Sequence, residues 1–361
     1  MLFSAMDPKI SVVVSVYKIE KFVAACLKSI LSQDFDAFEV IAVDDGSPDA
    51  SGAICDDFAR RDPRLTVIHK ENGGSTAARK TGVERARGEW IYVVDGDDAL
   101  LPHALSALYA ATQKFPEADI VEGSHFAFHN DINAPIPRKN DPFPPSREPL
   151  VVDAFRYAKE IATFQHAIFV TMPWRKIFRR KALLKAHAFD VPREIVWGNS
   201  PIMSLRAATE ARCIVRIPDR VYAYRLSDTG VTRDKESRTR FLKPDFSLLW
   251  WRSVKESFVG KSENWQDIGR LFIANTLFFR FLNASKTFLR NAEVREYLRN
   301  LAAARKRMPK KERFEVTVML ACTKFPLSCI PEAFWRISAA IAKRHYSTFI
   351  RFFRRLEHRS R

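Results

Sequence analysis

No apolar run in this chain of 361 residues approaches the ~20 residues that cross a bilayer as a helix, which argues against an integral membrane protein. Cysteine is scarce. The five present, Cys26, Cys55, Cys213, Cys322 and Cys329, are odd in number and lack metal-ligand spacing. That excludes a disulfide scaffold and suits a reducing cytosol. The stretch from Met1 to Lys9 has no basic segment followed by an apolar core, so no secretory signal is expected. Glycine numbers only 12. Neither Gly-x-Gly-x-x-Gly nor a Walker sequence occurs, which moves nicotinamide and P-loop chemistry out of the front rank. A serine nucleophile elbow is missing too, and no internal repeat is found.

What is present belongs to a folded chain. Apolar residues make up 47% and charged residues 28%, and the length suggests two or three domains. Lys and Arg number 59 against 42 Asp and Glu, a net charge of +17. The charge is uneven: residues 1–126 carry 13 Lys and Arg against 20 Asp and Glu, whereas 299–361 carry 16 against 4. An acidic front and a basic tail argue for two jobs in one chain, and the basic part wants an anionic partner such as an anionic membrane or an acidic polymer. No nucleic-acid-binding motif supports the third such partner.

The first 126 residues alternate between two periodicities. Strands are predicted at Ile10–Tyr17, Phe38–Asp44, Leu65–His69, Trp90–Asp95 and Asp119–Glu122. Helices are predicted at Glu20–Gln33, Ala50–Ala59, Thr76–Ala86 and from Pro102 onward. Apolar strands alternating with amphipathic helices indicate an α/β fold with a doubly wound, mostly parallel sheet. Such sheets bind ligands at the carboxyl ends of their strands. Residues 134–149 hold six prolines and read as a linker. Beyond Val151 helices are expected to dominate, with strand-like pieces at Cys213–Ile217 and Val221–Tyr224 and a mainly helical C-terminal region over 236–361.

Two predicted strands end in carboxylates. One continues as Asp44-Asp45-Gly46-Ser47-Pro48-Asp49, the other as Asp95-Gly96-Asp97-Asp98. Asp95 and Asp97 can face one cavity, where like charges repel unless a divalent cation joins them. Hard oxygen ligands favour Mg²⁺ or Mn²⁺, which also bridge to a diphosphate. Acidic residues also cap helices and turns, and that plainer role stays open for either cluster alone.

These pieces together resemble the family 2 glycosyltransferases of GT-A fold. The resemblance is carried by SVVVSVYKIEKFVAACLKSILSQDF, FEVIAVDDGSPDASGAICDDFA and ENGGSTAARKTGVERARGEWIYVVDGDD with the following Leu100-Leu101-Pro102. It is dense over residues 10–126 and weaker to about 225. It implies that 1–126 form the nucleotide-sugar-binding half of a GT-A domain and 127–235 its acceptor-side half. By the same resemblance Tyr17 lies against the base of a UDP-sugar, Asp45 accepts the uracil N–H, Asp44 supports that turn and Arg79 lies near the nucleotide. Asp95 and Asp97 form the D-x-D motif that touches the ribose and the metal, and Asp98 orients the donor sugar or the metal's surroundings.

Inverting members carry a Glu-Asp pair in the second half, its Asp acting as base on the acceptor hydroxyl. The framework resembles the family before it (Pro173-Trp174-Arg175-Lys176-Ile177-Phe178-Arg179-Arg180) and after it (Tyr222-Ala223-Tyr224-Arg225). Between them, Asn199 and Ser200 stand at the Glu and Asp positions, and neither is a carboxylate base. The base then comes from Glu194, Asp190 or His166, or the acceptor needs none, or the protein binds a nucleotide sugar without turnover. The resemblance implies an inverting transfer from a UDP-sugar to a hydroxyl of a surface polysaccharide or lipid-linked glycan. The alternative is a non-catalytic nucleotide-sugar-binding subunit of a polysaccharide assembly complex. His125 and His129 would share a strand face, but no third ligand accompanies them, so ordinary histidines are expected. Residues 334–356 place Phe334, Ile337, Ile341, Phe349, Phe352, Phe353 and Leu356 at helical intervals among basic residues. That pattern suits the interface of an anionic membrane, or an ordinary packed helix with a basic face. The expected location is cytoplasmic, peripheral at the inner face of the cell membrane.

Overall fold

The computed structural model describes residues 7–135, 148–163, 171–195, 199–226 and 244–269, with the single residues 295 and 299. The chain divides into two compact units, one of 1–157 and 172–234, the other of 158–171 and 235–361.

In the first unit, β1 (Ile10–Val16) is a β-branched run buried on both faces, as a central parallel strand must be. It lies between β2 (Phe38–Asp44) and β4 (Trp90–Asp95), both parallel to it, and β3 (Leu65–His69) extends the sheet beyond β2. The crossovers are α1 (Val23–Leu31), α2 (Ser51–Arg61) and α3 (Ser75–Arg85). Registers bring the chemistry to one edge. Val16 pairs with Asp44, Asp44 with His69, and Ser15 with Asp95, so these carboxyl ends are level.

The rest of the unit adds β5 (Ala99–Leu100), α4 (Ala104–Lys114), β6 (Ala118–Phe128), β7 (Leu150–Asp153), the start of α5 (Ala154–Thr163), β8 (Lys176–Arg179), α6 (Arg180–Lys185), α7 (Asn199–Glu210) and β9 (Cys213–Arg225). Among the described residues nine strands make one sheet, in the order β3-β2-β1-β4-β8-β6-β9-β5 with β7 also on β9. The α/β fold class expected from the sequence is present. The sheet is mixed, however: β8 runs antiparallel to β4 and β6, and β5 and β7 antiparallel to β9.

The strands at 150–153 and 176–179 replace expected helix, and the two strand-like pieces near 213 and 221 are one strand. The reason is visible at β8. Lys176 is fully buried, so a charge sits where an apolar residue would have signalled a strand. It belongs to a cluster around the buried carboxylate of Glu122, which accepts hydrogen bonds from Arg216 Nε (2.5 Å) and the Tyr157 hydroxyl (3.2 Å). Arg175 and Lys176 lie 3.5 and 3.6 Å from it. Burial alone would raise the Glu122 pKa, but the charges of Arg175, Arg216 and Lys176 outweigh it and hold the carboxyl at about 2. Burial lowers Lys176 to about 7 despite that carboxylate.

In the second unit, α8 (Pro244–Glu256) has Trp250 and Val254 buried. Most of the proline-rich segment (136–147), His166 and the basic stretch 334–356 lie outside the described residues.

Candidate functional site

The first acidic corner follows β2. Asp44 and Asp45 are both buried. Asp44 Oδ1 accepts the Ser47 N–H (3.0 Å), and its Oδ2 meets His69 Nδ1 (3.0 Å). Asp45 is held from the opposite side by the loop after β3. Its Oδ1 accepts Gly73 N–H (2.9 Å) and Lys70 Nζ (2.7 Å), and its Oδ2 accepts Gly74 N–H (2.7 Å). Gly46 and Gly74 take φ of +71° and +88°, where a side chain is strained. The loop after β1 is laced to this corner: Lys18, Ile19 and Glu20 donate backbone N–H groups to Ser47 Oγ, Ser51 Oγ and Asp49 Oδ2. Beside them Tyr17 is 40% exposed, with Lys18 Nζ 5.2 Å from its ring centre. A flat aromatic face, a turn of carboxylates and a cation thus share one edge of the sheet.

The second corner follows β4. Asp95 is half-buried, and Arg79 NH2 donates to its Oδ1 at 2.5 Å. Arg79, on α3, is itself buried; its NH1 lies 3.9 Å from Met203 Sδ of α7, and its Nε has no hydrogen-bond partner. Partial burial and the charge of Asp95 push the Asp97 carboxyl up to about 6. Asp98 is buried, and burial with the charges of Asp97 and Asp95 raises its pKa well above the carboxylate range. Its Oδ2 accepts the Tyr222 hydroxyl (2.7 Å) and its Oδ1 the Arg225 N–H (2.6 Å). Arg225 Nε also donates to the Asp97 carbonyl (2.7 Å), its guanidinium lying between the rings of Phe22 and Phe128. The Tyr222 hydroxyl accepts the Asp95 N–H (3.2 Å), and its ring stacks on Trp174 at 4.6 Å.

Ser200 and Asn199 begin α7 beside the start of α3. Asn199 Nδ2 donates to Thr76 Oγ1 (3.0 Å), and the Ser200 hydroxyl donates to Asn199 Oδ1 (3.2 Å). Glu194 is exposed in the loop before them, one residue past Arg193, whose carbonyl approaches Gly74. Asp190 is engaged elsewhere, by Lys80 Nζ (2.6 Å) and His187 Nδ1 (2.9 Å). His125, on β6, is buried against Trp174, whereas His129 lies just past the end of that strand, exposed beside the Leu226 carbonyl.

Asp95 and Asp97 supply hard oxygen donors in a partly desolvated turn. That donor set suits Mg²⁺ or Mn²⁺, whose charge would relieve the repulsion that raises Asp97. Among the described residues no group of three or more His, Cys, Asp or Glu gathers to hold a metal, so further ligands would come from water or substrate. Sequence reasoning missed Lys70, His69, Tyr222 and Arg225. Only Tyr222 and Arg225 fell within a recognised segment, and nothing local shows which turn they reach.

The model of the family described as glycosyl transferase family 2 matches residues 11–185. The glycosyltransferase GlyG of Streptococcus pneumoniae is 30% identical over 295 residues, 81% of this chain and 91% of that protein. The uncharacterized glycosyltransferase EpsJ of Bacillus subtilis is 31% identical over 228 residues, 63% of this chain and 64% of EpsJ. Among solved structures, S. aureus TarS 1–349 in complex with UDP-GlcNAc aligns with a TM-score of 0.61 at 20% identity, covering 88% of this chain and 87% of that 1–349 chain. The fold is GT-A, and with these relatives, the chain belongs to glycosyl transferase family 2.

Proposed function

We propose that this glycosyltransferase moves a sugar from a UDP-sugar to a hydroxyl of a surface polysaccharide or lipid-linked glycan, with inversion at the anomeric carbon. The observation that carries this reading is the pair of acidic corners, level at the ends of β2 and β4 on either side of β1. Tyr17 offers its exposed ring to the base. Asp45 is fixed by its loop; with Lys70 and Gly73 both donating to Oδ1, the second lone pair of Oδ2 can take the uracil N–H. Arg79 lies near the nucleotide and holds Asp95. Asp98 acts through Tyr222 and Arg225, setting the shape of the turn that meets the donor. The TarS complexes with UDP-GlcNAc and with UDP support the choice of donor.

Mg²⁺ or Mn²⁺ held by Asp95 and Asp97 would supply positive charge to the departing diphosphate. The chain's own share is to position donor and acceptor for in-line attack and to exclude water. With Ser200 at the base position, Glu194 is the nearest unengaged carboxylate in sequence. Residues 334–356 would bring the enzyme to an anionic membrane surface at the cytoplasmic face; among the described residues, no helix is long and apolar enough to cross one.

UDP release with Mn²⁺ present tests the reading. Asp97→Ala is expected to abolish turnover, and full turnover in that variant refutes the assignment. Ser200 motivates one other reading, a non-catalytic nucleotide-sugar-binding subunit. Bound UDP-sugar that is never consumed, across a broad acceptor panel, would favour it.

A further inference from the structure

We infer that His69 is a positioning residue for the donor, a cross-link that holds the first acidic corner in its binding shape; this rests on the donor reading above. His69 closes β3, and both of its ring nitrogens meet carboxylates. Nδ1 is 3.0 Å from Asp44 Oδ2 and Nε2 is 3.0 Å from Asp56 Oδ1 of α2. A neutral imidazole has one N–H, so one nitrogen would face a carboxylate lone pair to lone pair. Only the imidazolium satisfies both. The hydrogen bonds to Asp44 and then Asp56 raise its pKa above the ordinary histidine value.

The link is local and leads to the site. Asp44 Oδ1 fixes the Ser47 N–H, and the Ser47 hydroxyl accepts the Lys18 N–H next to Tyr17. Asp45, the next residue, receives its loop from Lys70, Gly73 and Gly74, the segment that leaves β3 directly after His69. Gly52 is part of the same packing: a Cβ there would stand 2.6 Å from Asp44 Oδ2 and 3.3 Å from His69 Cε1. The charged and titratable groups facing the ring are Asp44 from β2 and Asp56 from α2, with Cys55 beside them, its thiol pushed up to about 12 by burial and those two charges. The Asp44 side is shielded, with 9% of that side chain exposed, whereas the ring itself is 51% exposed and Asp56 43%. Solvent screening therefore limits the effect to roughly three- to tenfold in affinity.

The linkage has one sign. A histidine whose folded pKa is raised contributes fully below its unfolded value of about 6.5 and loses that contribution as pH rises through the folded value. Calorimetry of UDP with Mg²⁺ between pH 7 and 9, above the range in which Asp97 titrates, reads it. Wild type is expected to bind about three- to tenfold more weakly at the upper end. His69→Gln should bind at that weaker level throughout, with a flat profile. His69→Lys, which keeps a cation, should retain the tighter binding to higher pH. A His69→Gln variant with wild-type affinity and profile overturns the inference, as does a His69 ring that titrates by NMR at the ordinary histidine value. If UDP binds at no pH, the donor reading fails, and the ring titration alone still decides the cross-link.

Discussion

Tyr222 gives one hydroxyl to two partners, donating to Asp98 and accepting from the Asp95 amide. Removing it in Tyr222→Phe leaves a buried carboxylate short of a donor. The expected loss is about 1–3 kcal/mol of stability, read from urea unfolding without any ligand. Ser200 poses a chemical question of its own. Asn199 ties α7 to Thr76 and should be kept, so the informative change is Ser200→Asp alone. If the acceptor is a hydroxyl with no other base, turnover should rise about 10²-fold near neutral pH, measured as UDP release with acceptor present. At this scale the placing of both acidic clusters at strand ends was legible, because each follows a continuously apolar run. Their partners were not. Lys70, Tyr222 and Arg225 reach Asp45 and Asp98 across 25 to 127 positions of chain, and no short-range pattern encodes such a contact.

Among the elements, β2 and β4 lie where periodicity put them, because a strand covered on both faces is continuously apolar; β3 lies there too, although only Leu65 of it is fully buried. β8 escaped because Lys176 puts a charge at one of its buried positions, next to the buried Arg175 that precedes it. Those charges set two expectations. Glu122→Gln leaves Arg175, Lys176 and Arg216 facing a neutral amide, and should cost about 3–5 kcal/mol at pH 7. The folded pKa of about 2 lies below the unfolded value of about 4.3. The advantage of wild type is therefore present above pH 4.3 and shrinks as pH falls toward 2, which urea unfolding at pH 7 and pH 3 would reveal. The turn from α3 into β4 is equally constrained. A Cβ on Gly88 would stand 2.6 Å from Ser11 N and 2.8 Å from Ile10 C. Since backbone cannot yield as a side chain can, Gly88→Ala should destabilise by about 1–3 kcal/mol in the same assay.

For the molecule as a whole, charge is the property the sequence displays most openly, +17 overall with an acidic front. If residues 334–356 serve as a membrane contact, sedimentation with anionic vesicles should be strong at low salt. It should fall as ionic strength rises, and deletion of 334–356 should abolish it. Equal binding to neutral vesicles would point to apolar contact instead.

The return of β9 to the D-x-D corner also orders events in time. Asp98 is paired with Tyr222 and Arg225, 124 and 127 residues later. While the chain is still emerging from a ribosome, the early strands can associate, yet Asp98 at this corner lacks the two donors that fix its orientation. If this corner holds the donor's diphosphate as proposed, that competence arrives late in biosynthesis, and a nascent chain halted before residue 213 should retain UDP poorly even with its first 126 residues intact.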